Sequence, residues 1–445
     1  EYSAALSALQ TVLACNPSSA QPYIDYARCA LALQKNRMQS MLYSIDEDIR
    51  SNNQNGKDKV SLTKTDELIS SLQKALQIDP TLEEARILLA EVLAIGGDYS
   101  IAIDAYRAAL ETELAKDKSW QSRLDFGLGI VALKLNQGET AVAALLEANK
   151  ADPSNPFIHQ ALSEAYQMLG LNEDAFNSAR AALMIDANNV DLLAWFAKQV
   201  LSLKDYQGET IPHGCSEAMA ALRRASALAP QRADLAILLG QIQFEMGDRN
   251  GAIDSFNKII PVQNQEYTLD ILPSELYAAG KYLLMLNLPL GACSCLEMAL
   301  EKDKSANTAS KPRLAFPNPS PLDIYSLLAK CRRQSGANLS ALEAINQAIS
   351  LAPDNVDLYL EKVDLTLEMY PGLLSRKDND EGISTILECL DAAYKIDPKN
   401  PDIHFRYALI LRMIGKLSSA QSHAEKAADL YKSLQPVNSP VNHID

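Results

Sequence analysis

The sequence predicts an all-α protein, a solenoid of stacked antiparallel helix pairs. Three observations carry that prediction. A large residue followed by a small one recurs along the chain, as in Leu89-Ala90, Leu128-Gly129, Leu162-Ser163 and Leu328-Ala329. Thirteen residues after each large residue stands an alanine (Ala102, Ala141, Ala175, Ala341), and seven further on another (Ala109, Ala148, Ala182, Ala348). Close helix crossings need such small side chains, with Leu, Tyr and Phe filling the space around them. Next, Gly97, Gly170, Gly247, Gly336 and Gly415 follow apolar stretches of helical period, where left-handed backbone ends a helix. Finally, Pro80, Pro153, Pro230, Pro353 and Pro398 separate the units, since proline cannot continue a helix but suits the start of the next.

In chain order, the opening "EYSAALSALQTVLACNP" reads as the second helix of a pair, so the stretch is expected to continue from a longer polypeptide. Ten full helix pairs follow, starting near 19, 83, 122, 156, 190, 233, 273, 322, 356 and 401. The pairs at 19 and 356 are degenerate; the latter carries Lys362-Val363 and Ile386 where the pattern asks for a large-small pair and an alanine. Polar, Gly-rich or Pro-rich insertions are expected near 37–66, 204–216, 303–321 and 371–382, with a polar tail over 433–445. The whole of 1–445 is expected to form one solenoid.

This pattern resembles the tetratricopeptide repeat (TPR) family, a 34-residue helix-turn-helix unit. The best match is Leu89, Ala90, Gly97, Asp98, Tyr99, Ala102, Tyr106 and Ala109. The resemblance implies a right-handed superhelix, the TPR superhelix, whose first helices line a concave channel for a peptide or helix of another protein. Carrying over the family's channel positions gives an apolar set of Ile87, Leu88, Phe126, Ile130, Trp195, Ile237, Leu238, Phe244, Tyr277, Leu284 and Met285. The same positions give a basic set of Lys198, Lys281, Lys330, Arg333, Arg406 and Arg412. Within "LAFPNPSP", Leu314 and Phe316 are expected as an exposed apolar hook on a loop. The carboxylate clamp of chaperone-binding relatives is not supported, because no Lys stands at a fifth position and Arg406 is accompanied by Asp402.

Composition narrows the function further. A net charge of -15 offers no field for phosphates, so nucleic acid is not expected as a partner. The most apolar stretch, 282–300, is broken by Asn287, Pro289, Gly291 and Glu297, and no membrane insertion is expected. Seven scattered cysteines point to core thiols and a reducing compartment such as the cytoplasm. Any targeting segment would lie outside these residues. No catalytic, cofactor or metal constellation is expected: the five histidines lack paired spacing, and His213-Gly-Cys215 alone is weak. The expected function is therefore a non-catalytic scaffold or adaptor that holds one or more proteins, through an acidic or amphipathic segment. Two alternatives are a regulatory or substrate-docking arm of a larger enzyme and a structural subunit of an envelope or filament assembly.

Overall fold

The computed structural model describes residues 2–15, 17–33, 59–203, 212–260, 271–305, 316, 318–369 and 380–434. Among these the chain is α-helical without β-strands, as expected. The helices fall into two units, Glu1–Asp248 with Pro312–Pro317, and Arg249–Lys311 with Asn318–Asp445.

In the first unit the helices are α1 (Tyr2–Ala14), α2 (Gln21–Leu33), α3 (Lys59–Ile78), α4 (Glu83–Gly96), α5 (Tyr99–Leu110), α6 (Lys118–Lys134), α7 (Gly138–Ala151), α8 (Pro156–Met168), α9 (Asn172–Ile185), α10 (Val190–Ser202), α11 (Pro212–Leu228) and α12 (Ala233–Glu245). The second unit has α13 (Arg249–Asn257), α14 (Pro273–Met285), α15 (Pro289–Ser305), α16 (Pro321–Gln334), α17 (Asn338–Leu351), α18 (Val356–Met369), α19 (Asp380–Ile396), α20 (Pro401–Met413) and α21 (Leu417–Leu434). Within each unit, successive helices pack as antiparallel neighbours. First helices also touch the next first helix, as α4 does α6 and α14 does α16. Within each unit they therefore stand side by side as a wall, here called the A wall of that unit.

The first-to-second-helix turns share one geometry. After α4, α6, α8, α12, α14, α16 and α20 the backbone N–H one residue past the left-handed position returns to the carbonyl five residues back, as Asp98 does to Leu93 and Ala337 to Arg332. This bond satisfies carbonyls that a helix end leaves open. The left-handed residue is Gly97, Gly170, Gly247, Gly336 or Gly415, as expected. In two turns Asn136 (φ 60) or Asn287 (φ 61) stands there in place of glycine. Asparagine takes this region at low cost because its short amide can bond locally.

Between units the prolines named from the sequence sit in the connecting turn, short of the next helix. The first helical position belongs instead to Pro156, Pro273, Pro321 and Pro401. Asn155, Asn189, Ser320 and Asn400 accept from the first free backbone N–H groups of α8, α10, α16 and α20. Between α5 and α6 the chain exceeds the 34-residue period and closes the excess in a 3₁₀ turn, Leu114–Lys116. Glu83 fixes that turn by accepting from the N–H groups of Glu113 and Leu114. Parts of the expected insertions are helix: α3 begins at Lys59, α11 at Pro212 and α19 at Asp380.

The small residues lie where the argument from helix crossing puts them. Ala90, Ala102, Ala109, Ala141, Ala148, Ala175, Ala182, Ala341 and Ala348 are completely buried. In the degenerate repeat Val363 and Ile386 take the same places and are equally buried, so the crossing persists with larger side chains. Tyr106, also completely buried, lies where a Cβ on Gly127 would stand 2.5 Å from its ring. Two residues along α6, on another side of the helix, Gly129 makes the same room for Leu145.

Candidate functional site

Burial divides the residues expected to line a channel. Ile87, Leu88, Ile130, Ile237 and Leu238 are at most 2% exposed and belong to the interior. Ile87 and Ile130 sit in one core cluster and Leu88 in another, between helices of adjacent pairs. Their positions face the neighbouring helix because each first helix is covered on two sides, by its own partner and by the preceding repeat. No partner can reach them.

The remaining members reach solvent. In the first unit Phe126 and Trp195 are half-buried against the core, and Phe244 and Lys198 are half-buried on α12 and α10. In the second unit Tyr277 and Leu284 are half-buried, Lys281 and Lys330 are exposed, and Met285 is 56% exposed. Asp323 stands close enough to Tyr277 to help raise its phenol pKa, after burial itself. Leu314 lies outside the described residues. Phe316 is half-buried and packs on the core cluster that holds Phe196 and Leu222, so it is not the exposed hook expected.

The basic set is also reshaped. Arg333 is paired through two nitrogens with Glu368, its Nε donating at 2.8 Å. Arg406 donates from Nε and Nη2 to both oxygens of Asp364, at 2.9 and 2.7 Å. Both carboxylates belong to α18, which lies between the two arginine-bearing helices α16 and α20. Two cations expected to face a partner are thus neutralised within the chain. The first unit repeats the device: Arg123 of α6 holds both oxygens of Glu91 on α4, with Nη2 at 2.6 Å. Burial raises the Glu91 pKa, and Arg123 opposes that rise. Farther along, Gln199 donates to Ser163 and Gln167, and Gln167 donates to Ser202, tying α8 to α10. These acidic and amide groups occupy the same first helices as the apolar and basic residues but carry no signal in the repeat pattern.

A further feature escapes the sequence reading. Phe405 and Leu409 of α20 and Leu417 of α21 are 55%, 41% and 66% exposed. With Arg412 they line an open groove of about 420 Å³. Phe405 and Leu409 are one helical turn apart, a spacing that marks one face. Close by, His404 and His423 meet Nδ1 to Nδ1 at 2.9 Å, and His404 Nε2 donates to the carbonyl of Pro398. His404 Nδ1 must then accept from His423. The two histidines are far apart in sequence and the helix turn joins them, so spacing alone does not reveal the pair. The side chain of His213 lies outside the described residues, and Cys215 is buried.

Among the described residues no group of three His, Cys, Asp or Glu side chains could hold a metal ion. Among them no helix is long and apolar enough to cross a membrane.

A sequence profile of the tetratricopeptide repeat family matches residues 88–156, where the repeat pattern is sharpest. The chain is 30% identical over 124 residues to the TPR repeat-containing protein YpiA of Bacillus subtilis, covering 28% of each chain. It is 24% identical over 188 residues to anaphase-promoting complex subunit 3 of Schizosaccharomyces pombe, covering 42% of this chain and 26% of that one. The chain thus spans little more than a quarter of the length of either relative. Among solved structures, a tetratricopeptide repeat protein from Parabacteroides merdae superposes with a TM-score of 0.42 at 14% identity, covering 64% of this chain and 98% of that one. TPR proteins bind other proteins and are in general non-catalytic scaffolds. The family match over residues 88–156, the recurrent spacing and the shared turn geometry agree: the chain carries tetratricopeptide repeats over the residues matched and resembles that family along the rest of its described helices.

Proposed function

We propose that the chain is a non-catalytic scaffold that holds an amphipathic, acidic segment of a partner protein against the exposed side of its first helices. The observation that carries this reading is the α20–α21 groove, where Phe405, Leu409 and Leu417 surround Arg412. Exposed aromatic and aliphatic side chains around a single cation suit a helix with an apolar stripe and a carboxylate. Arg412 would orient the segment, and the apolar contacts would supply most of the affinity. The half-buried Phe126, Trp195, Phe244, Tyr277 and Leu284, with exposed Met285, would extend the contact within their own units. Lys198, Lys281 and Lys330 would add charge at its rim. Arg333 and Arg406 serve the fold in this reading, being already paired.

The test selects binders from a library of amphipathic helical peptides of both charges against the whole chain. Selected peptides are expected to be acidic and to lose at least tenfold in affinity with Phe405→Ala or Arg412→Glu, while circular dichroism stays unchanged. Peptides of no charge preference, or affinities indifferent to both variants, would refute the groove. Trp195→Ala with Phe244→Ala tests the first unit separately, and an unchanged affinity for its binders would remove that wall from the proposal.

A further inference from the structure

We infer that the α20–α21 groove is a repeat-stacking face, and that its occupant is an amphipathic helix of a partner protein seated parallel to α20 as the first helix of one more repeat. The inference rests on the functional reading above and adds the form, direction and register of the bound segment. What carries it is the fate of the same face elsewhere in the chain. Four residues after the crossing alanine or its substitute, Tyr106, Leu145, Leu222, Leu296, Ile345 and Leu390 are at most 1% exposed. They plug the space toward the first helix that follows. A Cβ on Gly127 of α6 would strike the Tyr106 ring, Leu145 shares a core cluster with Ile158 and Ala165 of α8, and Leu390 shares one with Ile403 and Ile410 of α20. On α21 that place belongs to Ala424, which is exposed and lines the groove. The first helices agree: Leu360 of α18 is 5% exposed, whereas Phe405, at the same place on α20, is 55% exposed. Among the described residues no first helix follows α21, so the groove continues the interface that joins one repeat to the next.

The chain's own first helices specify what fits. Two residues seven apart are buried on each of three of them: Ile324 and Cys331 on α16, Leu358 and Leu365 on α18, Ile403 and Ile410 on α20. Seven residues are two helical turns, so each pair lies on one face, and on α20 that face meets Leu390 and Ala393 of α19. An incoming helix needs the same stripe. Its apolar side chains have room to be large, because Ala408, Ala420 and Ala424 line the groove of about 420 Å³.

Charge sets the register. Arg333 holds on α16 the place that Arg412 holds on α20, and its partner Glu368 lies on the following first helix, ten residues after Leu358. Arg412 is exposed and lines the groove. It calls for a carboxylate at the matching place of the incoming helix, ten residues after the first apolar residue of the stripe.

The probe is a fluorescein-labelled peptide of residues 354–369, which carries the α18 stripe and Glu368, titrated against the whole chain by anisotropy. Binding is expected, with at least a tenfold loss for Ala424→Glu; that side chain enters solvent in the free protein, so circular dichroism should stay unchanged. Arg412→Glu should weaken the parent peptide at least tenfold. A Glu368→Lys peptide should recover the affinity for that variant, and a Glu361→Lys peptide should not. Tyr431 donates to Asp402, so the end of α21 lies beside the start of α20. A benzophenone at the peptide's C-terminus should therefore cross-link near Arg412 and Leu417, and one at its N-terminus near Asp402 and Tyr431. Cross-links in the reverse order or on other helices, or recovery by either lysine alike, would overturn the stacked arrangement and leave the groove as a peptide site. A peptide that fails to bind overturns it too; the functional reading then stands if library-selected acidic peptides still depend on Phe405 and Arg412, and falls if they do not. A chain that dimerises in sedimentation and is dispersed by Ala424→Glu carries a second copy on this face, which also overturns the proposal.

Discussion

Gly127→Ala and Gly96→Ala make the same change on two first helices and are expected to move stability in opposite directions. Alanine exceeds glycine in helix preference by about 1 kcal/mol in a helix interior and by less at an end. At Gly96, the last residue of α4, a new Cβ would meet Thr65 Cβ at 3.8 Å, an ordinary contact, so a gain of a few tenths of a kcal/mol remains, by helix preference at a helix end. At Gly127 the new Cβ would stand 2.5 Å from Tyr106 Cζ, 2.6 Å from Cε1 and 2.6 Å from the hydroxyl oxygen. Tyr106 is completely buried, so its ring cannot swing into solvent. Overpacking of this kind costs about 1–3 kcal/mol, which leaves a net loss of up to about 2 kcal/mol after the helix gain.

The hydroxyl adds an internal check. It is buried without a hydrogen-bond partner, so Tyr106→Phe removes a desolvated group and one of the three clashing atoms together. In that background Gly127→Ala should cost less, so that the double variant is less destabilised than the sum of the two single changes. Repeat arrays unfold unit by unit, so the assay must be local. Trp120 lies on α6 with Gly127, and its fluorescence in urea follows that helix. Hydrogen exchange of α6 amides supplies the second reading. A Gly127→Ala protein as stable as the parent by both readings would refute the close-approach argument for the small residues.

Four other perturbations follow from the contacts and pKa shifts of individual charged groups. Arg123→Met leaves the Glu91 carboxylate buried and unpaired, at a cost of about 1–3 kcal/mol at pH 7, given that half of Arg123 is solvated. Because the Glu91 pKa lies above its ordinary value, that loss should vanish as pH falls below about 4.5; urea midpoints at both pH values test it. Burial, then Glu147, raises the Asp125 carboxyl from 3.8 to about 6. Its stabilising contribution is present below 3.8 and lost as pH rises through 6, so Asp125→Asn should gain about 1–3 kcal/mol at pH 7 and nothing at pH 4. At the last helix pair, burial, His404 and then Lys426 depress the His423 pKa below 6.5. Stability there is present above 6.5 and falls with acidification, so α21 amides should exchange faster at pH 5.5 than at pH 7.5 after correction for intrinsic rates; His423→Gln should abolish the difference. Asp364→Asn with Glu368→Gln releases Arg406 and Arg333 and should make binding of acidic peptides tighter and more salt-dependent, read by titration at low and high salt.

The fold was legible because its determinants are small and periodic. Alanine at a crossing and glycine after a helix are chemical choices with few substitutes, so Ala102, Ala141 and Gly97 announce themselves. Where a substitute exists the signal weakens. Asn136 and Asn287 fill the left-handed position as well as glycine does, and Val363 and Ile386 fill a crossing that merely spreads to admit them. The helix starts show the same limit from the other side. Asn155, Asn189 and Asn400 are plain N-cap signals that the unit-closing prolines overshadow, since both sit within a few residues of the same boundary.

The site was less legible, because a repeat position tells which side of a helix a residue occupies but not what stands opposite. Ile87 and Leu238 occupy nominal channel positions, yet neighbouring helices reach across and cover them. For the charged residues the missing information is pairing. Arg333 and Arg406 look like a basic cluster only while α18 is set aside as degenerate; its Asp364 and Glu368 lie on the same wall and satisfy both. Apolar pattern defines a repeat, so a repeat that has lost its pattern is discounted just where its polar residues do most. The consequence reaches function: cations held by carboxylates of the same wall stiffen it from within and contribute little to a partner's charge. On the proposed function, selectivity then comes from groups such as Arg412, set among exposed apolar side chains at α20–α21, and not from the total of basic residues along the chain.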